Sequence, residues 1–577
     1  MSKFYVAAIL MTMLASAVMA TGQPETPKVA WLHTAGFGLA HLHGYSDDAD
    51  RANGIVFDPS GYVYIAGESN SFLYNDTNPV LVKLNANGEL QWATVWQGTG
   101  RGMRVAVDDK GNAFLAGKLG SEWSQQEAFV AKFDSDGGLA WNSVWGPPLT
   151  PGVGNSIYVQ GLAIDAYGDA YVSGAVGESY PPQYAFLIKL DPAGGLDWSR
   201  VWSYANMSDG CPGSYGCFEV TSIALDTAGD VNVAGSAGND TLVARFSSNG
   251  DLQWSRVLRE YNRQVSAVAM VLDATGNIYV AANSEVWGPG GACTGMWEGY
   301  SSEVVLTKFA QNGSAYWVKT LATPAEPDYF LSGPAGLAID SDGDLYVVGA
   351  RNAPYWENGS DILGRSDVFV AKFASDGKLY WDVATLAQTG CTICYCAQLV
   401  TPVGIAVDPA GDIYVGGTTF NNRLETYPPP EKLSAALTDT NVTIRDLPPI
   451  MHDDLGFVAQ QPASEVFGAN ITMDGPAPNN ASYSRMIVMK LQQYGAPPAT
   501  ITTTVGTTVT KTSTELQTTV TTVSPAPSPI PFIGVPEVLI AILLGVFVAA
   551  RRQRNRAHQA PRQGFLSYIT RAWDSIE

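Results

Sequence analysis

Between Trp31 and Gly495 the polar and apolar positions follow one pattern written seven times. A short apolar strand ends in Asp, two variable residues and a Gly follow, and then an alternating strand begins. The turns are Asp58-Pro-Ser-Gly61, Asp108-Asp-Lys-Gly111, Asp165-Ala-Tyr-Gly168, Asp226-Thr-Ala-Gly229, Asp273-Ala-Thr-Gly276, Asp340-Ser-Asp-Gly343 and Asp408-Pro-Ala-Gly411. Further along each copy, a basic residue opens a second hairpin with Gly five places on and Trp nine places on. Lys83–Trp92, Lys132–Trp141, Lys189–Trp198, Arg245–Trp254, Lys308–Trp317 and Lys372–Trp381 keep this interval. Short strands joined by tight turns, with successive turn aspartates 47 to 68 residues apart, predict four-stranded blades of a β-propeller.

The seventh copy reaches Lys490-Leu491, and Pro497-Pro498 stand where its Trp strand is expected. That strand is found instead ahead of the first copy, as Val29-Ala-Trp31. The pattern therefore predicts an all-β, seven-bladed propeller over residues 29–495, closed by an N-terminal strand that completes blade seven and removes the open edges of the ring. Asp in these turns can accept backbone hydrogen bonds from residues ahead of it, and Gly supplies positive φ, so the turn residues read as scaffold. Alternation places both constant turns on one face of the disc. The longer connections, 67–83, 282–308 and an insertion over 418–485, are expected on the opposite face, where binding functions usually lie.

The chain ends add an address. Residues 1–20 read as a secretory signal, with Lys3 ahead of an apolar run too short to span a bilayer. Residues 496–531 form a Thr/Ser/Pro-rich stalk, of which the roughly 30 residues from Ala499 to Pro529 reach about 100 Å if extended at ~3.3 Å each. Residues 532–550 give a transmembrane helix and Arg551, Arg552, Arg554 and Arg556 mark the cytoplasmic side. In the tail of residues 551–577, Phe565, Leu566, Ile569, Ala572, Trp573 and Ile576 form a helical apolar stripe suited to the inner leaflet. The expected protein is single-pass, with its propeller outside the cell. Eight Asn-x-Ser/Thr sequons fit a glycoprotein, and a net charge of −21 argues against nucleic acid as a partner.

Candidate chemistry is sparse. Among five histidines, His41 and His43 share one side of an extended segment, and His452 in the insertion is a third donor for a Zn or Cu site; solvated loop histidines are the competing reading. Asp340, Asp342 and Asp344 alternate as in a calcium loop, yet they occupy an ordinary blade turn. All six cysteines, Cys211, Cys217, Cys293, Cys391, Cys394 and Cys396, fall in the loop-face connections, and an even count outside the cell favours disulfides. Cys211–Cys217 is the favoured pair, worth about 2–3 kcal/mol. The other four allow three connectivities, and a metal or redox site at Cys391, Cys394 and Cys396 is the alternative. No nucleophile elbow, phosphate loop, dinucleotide fingerprint or zincin helix is present, and no cofactor is expected beyond the Ca or Zn/Cu alternatives above.

The run Val-x-Asp-x-x-Gly-Asp/Asn-x-Tyr-Val-x-Gly with Lys-Phe/Leu-x-x-x-Gly-x-Leu-x-Trp resembles the SBBP-type β-propeller repeat of bacterial and archaeal surface proteins; residues 165–174 are a close match. The signal, stalk, anchor and basic stop resemble archaeal surface glycoproteins, and Val535-Pro536-Glu537 is similar to a Pro-Glu-Phe sorting signal, with Val538 in place of Phe. The Gly-x-Leu-x-Trp strand is also similar to pyrroloquinoline-quinone dehydrogenases, which have eight blades. The first resemblance implies a fold but no catalytic residues. The functional expectation is a non-enzymatic surface protein binding a glycan or an envelope protein. An extracellular polysaccharide hydrolase or lyase, using acids around the central channel, is the alternative.

Overall fold

A computed structural model of the chain describes residues between 27 and 493, outside the longer loops such as 37–49, 204–217, 287–300, 390–399 and 420–430. These residues form seven antiparallel sheets and, among the described residues, no helix. Blade one is the meander Asp50–Phe57, Val63–Leu73, Asp76–Leu84, Leu90–Trp96, and blades two to six repeat it. Blade seven is assembled from Val400–Val407, Ile413–Thr419, Arg485–Gln492 and, as its fourth strand, Lys28–Gly36. The closure is in register. Trp31 stands opposite Lys490, as Trp92 stands opposite Lys83 and Trp198 opposite Lys189.

The core is distributed, as the alternating pattern requires: each blade buries both faces against its neighbours. Seven apolar clusters fill the seven gaps between blades, including the gap between blades seven and one, where Tyr414, Met486 and Val488 meet Val63 and Val82. Trp96, Trp145 and Trp202 are among the largest side chains wholly buried there, each worth about 2–3 kcal/mol.

The repeat residues explain themselves at the turn face. In all seven first turns, one Asp oxygen accepts the backbone N–H groups two and four residues on; Asp340 takes Asp342 N at 3.0 Å and Asp344 N at 2.9 Å. The turn Gly has positive φ, from 76° at Gly276 to 93° at Gly61. In five blades the second Asp oxygen takes a strand-two Tyr hydroxyl, as Tyr346 and Tyr414 donate to Asp340 and Asp408 at 2.8 and 3.2 Å; in blades two and four, with Phe114 and Asn232 there, it takes Asn112 and Arg245 instead. The basic residue of strand three then lies over that aromatic ring, at 4.9 Å for Lys372 and Tyr346, and the Trp of strand four meets the ring edge-on.

The same Trp latches neighbouring blades. Trp92, Trp141, Trp198, Trp254 and Trp317 each donate Nε1–H to a carbonyl in the second turn of the next blade, at 3.0, 3.0, 3.2, 2.9 and 3.3 Å. Their rings cover the Gly of that turn so closely that a Cβ on Gly194 would lie 2.7 Å from Trp141. Hence the fixed Gly and Trp spacing serves two different blades. Trp381 of blade six is the exception: its buried Nε1 has no partner among the described residues. Blade seven lacks a second turn, because its third and fourth strands come from opposite ends of the repeat region.

The insertion of blade seven departs from expectation. Its described strands run around the rim and add a fifth strand to every blade in reverse order. Glu431–Lys432 joins blade six, Ala436–Asp439 blade five, Thr443–Asp446 blade four, Ile450–Met451 blade three, Val458–Gln460 blade two, Val466–Gly468 blade one and Thr472–Met473 blade seven. All seven pair antiparallel with the loop-face half of the outermost strand, for example Ala436–Asp439 on Lys319–Ala322. The physical reason is that each outermost strand otherwise leaves a row of unpaired backbone groups. Leu437, Val442, Ile444 and Met451 add apolar cover, and Asp439 and Asp446 pair with Lys319 and Arg256 of the rim.

Candidate functional site

Seven inner strands surround the axis of the ring. Each carries a β-bulge at the same place, so that the residue five before the turn Asp is skipped in the register: Asn53, Met103, Gln160, Thr221, Val268, Ala335 and Val403. The next position is small in six blades, Gly54, Gly161, Ser222, Ala269, Gly336 and Gly404. Crowding requires it: a Cβ at Gly161 would lie 2.2 Å from Ser173 Oγ, and one at Gly336 would lie 2.9 Å from Gly404. Blade two has Arg104 there. All of these except Met103 line an axial cavity of about 180 Å3, room for roughly six waters at about 30 Å3 each.

The Arg104 guanidinium lies deep among the strands and keeps contact with the channel space. Nε donates to the Gln160 carbonyl at 2.7 Å, and Nη1 donates to those of Asn53 and Met103 at 3.1 and 2.8 Å. All three are bulge carbonyls, from blades three, one and two. Burial pulls the guanidinium down to about 10, so it stays protonated at neutral pH. No carboxylate pairs with it among the described residues. Gln160 donates its side-chain Nε2 to Glu219 at 3.3 Å, while its Oε1 is buried without a partner among the described residues. Burial holds the Glu219 carboxyl above the usual range, against the opposing effect of that amide.

A second cluster lies at the loop-face end of blade five. Arg263 Nη2 is 2.7 Å from Glu303, and its Nε is 3.6 Å from Glu260. Ser284 Oγ accepts from Arg263 Nε at 2.6 Å and donates to Glu260 at 2.8 Å. Burial raises the Glu303 carboxyl, Arg263 opposes this, and the charge of Glu260 adds to it.

Of the site residues expected from sequence, the structure places only the aspartates. Asp340 and Asp344 converge on Lys372 Nζ, at 3.3 and 2.9 Å, while Asp342 stays outside that pairing. Two of the three carboxylates that suggested calcium thus serve the ammonium group that other blades also use, as Lys189 with Asp169 and Lys490 with Asp412. His41, His43, His452 and the cysteines Cys211, Cys217, Cys293, Cys391, Cys394 and Cys396 lie outside the described residues, as do the signal, stalk and anchor segments. Among the described residues no cluster of metal-ligating side chains occurs, and no helix is long and apolar enough to cross a membrane. Arg104, Gln160, Glu219, Glu260 and Glu303 were not singled out by the sequence patterns. Aligning the copies on the turn Asp does expose Arg104, the one large residue in a column of small ones.

The fold and its axial channel define a seven-bladed β-propeller built from sequence repeats. The SBBP family model, described as a beta-propeller repeat, matches residues 41–74 and 397–425. A regulatory protein, FlaEY of Caulobacter vibrioides, is 27% identical over 265 residues, covering 41% of this chain and 26% of its own length. The chain thus matches about a quarter of the length of that curated relative. Among solved structures, the polysaccharide lyase Uly1 is similar at TM-score 0.30 and 11% identity, over 67% of this chain and 89% of its own. A glucose dehydrogenase is similar at TM-score 0.29 and 12% identity, over 66% and 96%. Drosophila Plexin A in complex with Semaphorin 1b gives 0.28 and 10%, over 74% and 88%.

Proposed function

We propose that the chain is a non-enzymatic binding propeller displayed on the cell surface, held by a C-terminal transmembrane helix, with a glycan or an envelope protein as its partner. One observation carries the reading. The aspartates that recur in every blade are all engaged by turn N–H groups and most by strand-two hydroxyls, leaving the turn face as scaffold. What varies from blade to blade is the opposite face and the channel, which suits recognition on a constant frame. The rim insertion is no longer the favoured contact; the connections that enter and leave the inner strands take its place. Capture of envelope glycans or envelope proteins on the immobilised full-length chain tests this. Retention that is abolished by substitutions on the loop face supports it, and retention by the turn face alone sinks it.

A polysaccharide-active enzyme is the second reading. It is favoured by Glu260 and Glu303, two neighbouring carboxyls with one held above its usual range, the kind of asymmetry that acid–base pairs need. Turnover on a polysaccharide panel that disappears in Glu303→Gln would replace the binding reading by this one.

A further inference from the structure

We propose that the axial channel is a receptor for a small hydroxylated carboxylate, with Arg104 as its charge partner. Three observations converge. First, the column of residues next to the bulges is Gly, Ser or Ala in six blades, as the crowded axis demands, and only blade two places a long cation there. Second, that cation is fixed without being neutralised. Three of its five N–H groups are held by bulge carbonyls of three adjacent blades, which orient the guanidinium and carry no charge to cancel its own. Both N–H groups of Nη2 are left without a protein partner among the described residues. A guanidinium held by neutral dipoles and bordering a cavity is organised for an incoming anion. Third, the neighbouring Gln160 keeps a buried Oε1 with no donor. That oxygen is closed to solvent in this conformation, and Gln160 lines the cavity; once its amide turns toward that space, a hydroxy acid or sugar acid satisfies both groups, whereas a simple inorganic anion satisfies one.

The cavity of about 180 Å3 sets a size limit near one sugar ring, and its lining of small residues leaves backbone within reach of a flat, polar ligand. A purely structural role for Arg104, tying three bulged strands together, predicts the same hydrogen bonds but no affinity for anions.

The test is calorimetric titration of the purified full-length chain with sodium glucuronate, glucose and acetate. Glucuronate should bind at least tenfold more tightly than glucose, which lacks the carboxylate, and more tightly than acetate, which lacks the hydroxyls. In Arg104→Met the preference for glucuronate over glucose should vanish while Arg104→Lys retains part of it. Equal binding of glucuronate and glucose by the wild type, or an unchanged preference in Arg104→Met, overturns the proposal. If Arg104→Met does not fold, crystals of the wild-type chain soaked in sodium glucuronate decide. Ligand density beside Arg104 supports the site, and density at other places only, or none, refutes it.

Discussion

A Cβ on Gly194 separates the two roles of the repeat glycines. Gly194 and Gly343 have nearly the same conformation, with φ of 86° and 82°. An added Cβ at Gly343 meets nothing within 4 Å, whereas at Gly194 it lies 2.7 Å from the Trp141 ring. Gly343→Ala therefore carries only the left-handed penalty, about 1–2 kcal/mol. Gly194→Ala carries that penalty and also displaces the indole that donates to the Pro192 carbonyl at 3.0 Å, adding about 1 kcal/mol for the hydrogen bond. Trp141 also meets Phe114 edge-on at 6.0 Å, and weakening that contact adds about 0.5–1.5 kcal/mol. The two variants should differ by roughly 2 kcal/mol, four times the usual scatter of additive effects. Urea unfolding followed by tryptophan fluorescence, at matched protein concentration, reads the difference. Equal midpoints for the two variants would refute the latch and leave the second-turn Gly as a turn former only.

The orphaned indole of blade six gives a second comparison: Trp381→Phe should cost about 1 kcal/mol less than Trp141→Phe, because Trp381 Nε1 has no protein partner to lose among the described residues, and equal losses in thermal unfolding would count against this. Removing Lys28–Gly36, the fourth strand of blade seven, should cause aggregation on size-exclusion chromatography, whereas ending the chain at 499 should not; a monomeric, folded product of the first deletion would overturn the closure argument. Two carboxyls should respond to pH with opposite sign. The Glu219 carboxyl is raised by burial, so its charged form costs stability at pH 7 and the cost is relieved as pH falls through its folded value; Glu219→Gln should raise the melting temperature at pH 7 and have no effect by about pH 4. Burial acts to raise Asp108 too, but hydrogen bonds from the Asn112 side chain and the Asn112 and Lys110 backbones, with Lys132, bring it below the usual range. Its stabilisation is present above the unfolded value and lost as pH falls through the folded one, so Asp108→Asn should be most harmful at pH 7.

Much of the fold was legible because local chemistry repeats: Asp and Gly define a turn wherever they stand, and a missing Trp strand at one end with a spare one at the other admits few arrangements. The rim strands were not legible. Segments such as Ala436–Asp439 and Thr443–Asp446 are too short for alternation to register, and their partners lie 120 and 190 residues or so away, fixed by exposed edges rather than by any property of the segment. The channel was half legible. Arg104 stands out against the small residues of its column, but nothing in the sequence states that three carbonyls hold it or that Gln160 turns toward Glu219.

The rim segment also changes what kind of object the ring is. Repeat arrays are coupled through nearest neighbours, so a weak blade can open while distant ones stay shut. Here one covalent thread leaves blade seven after Thr419, passes along every other blade, and re-enters the same sheet at Arg485, directly beside the strand it left. The pairing of Thr419 with Arg485 fastens that thread into a hoop around the disc. Successive rim strands begin 5 to 8 residues apart, so only a few residues separate one blade's pairing from the next. A blade that tilts outward must therefore stretch or unpair the hoop on all its neighbours, which makes spreading a collective event. Assembly inherits the same constraint: the third strand of blade seven reaches its place only once the chain has completed the circuit or the loop has been slipped over one face of the disc.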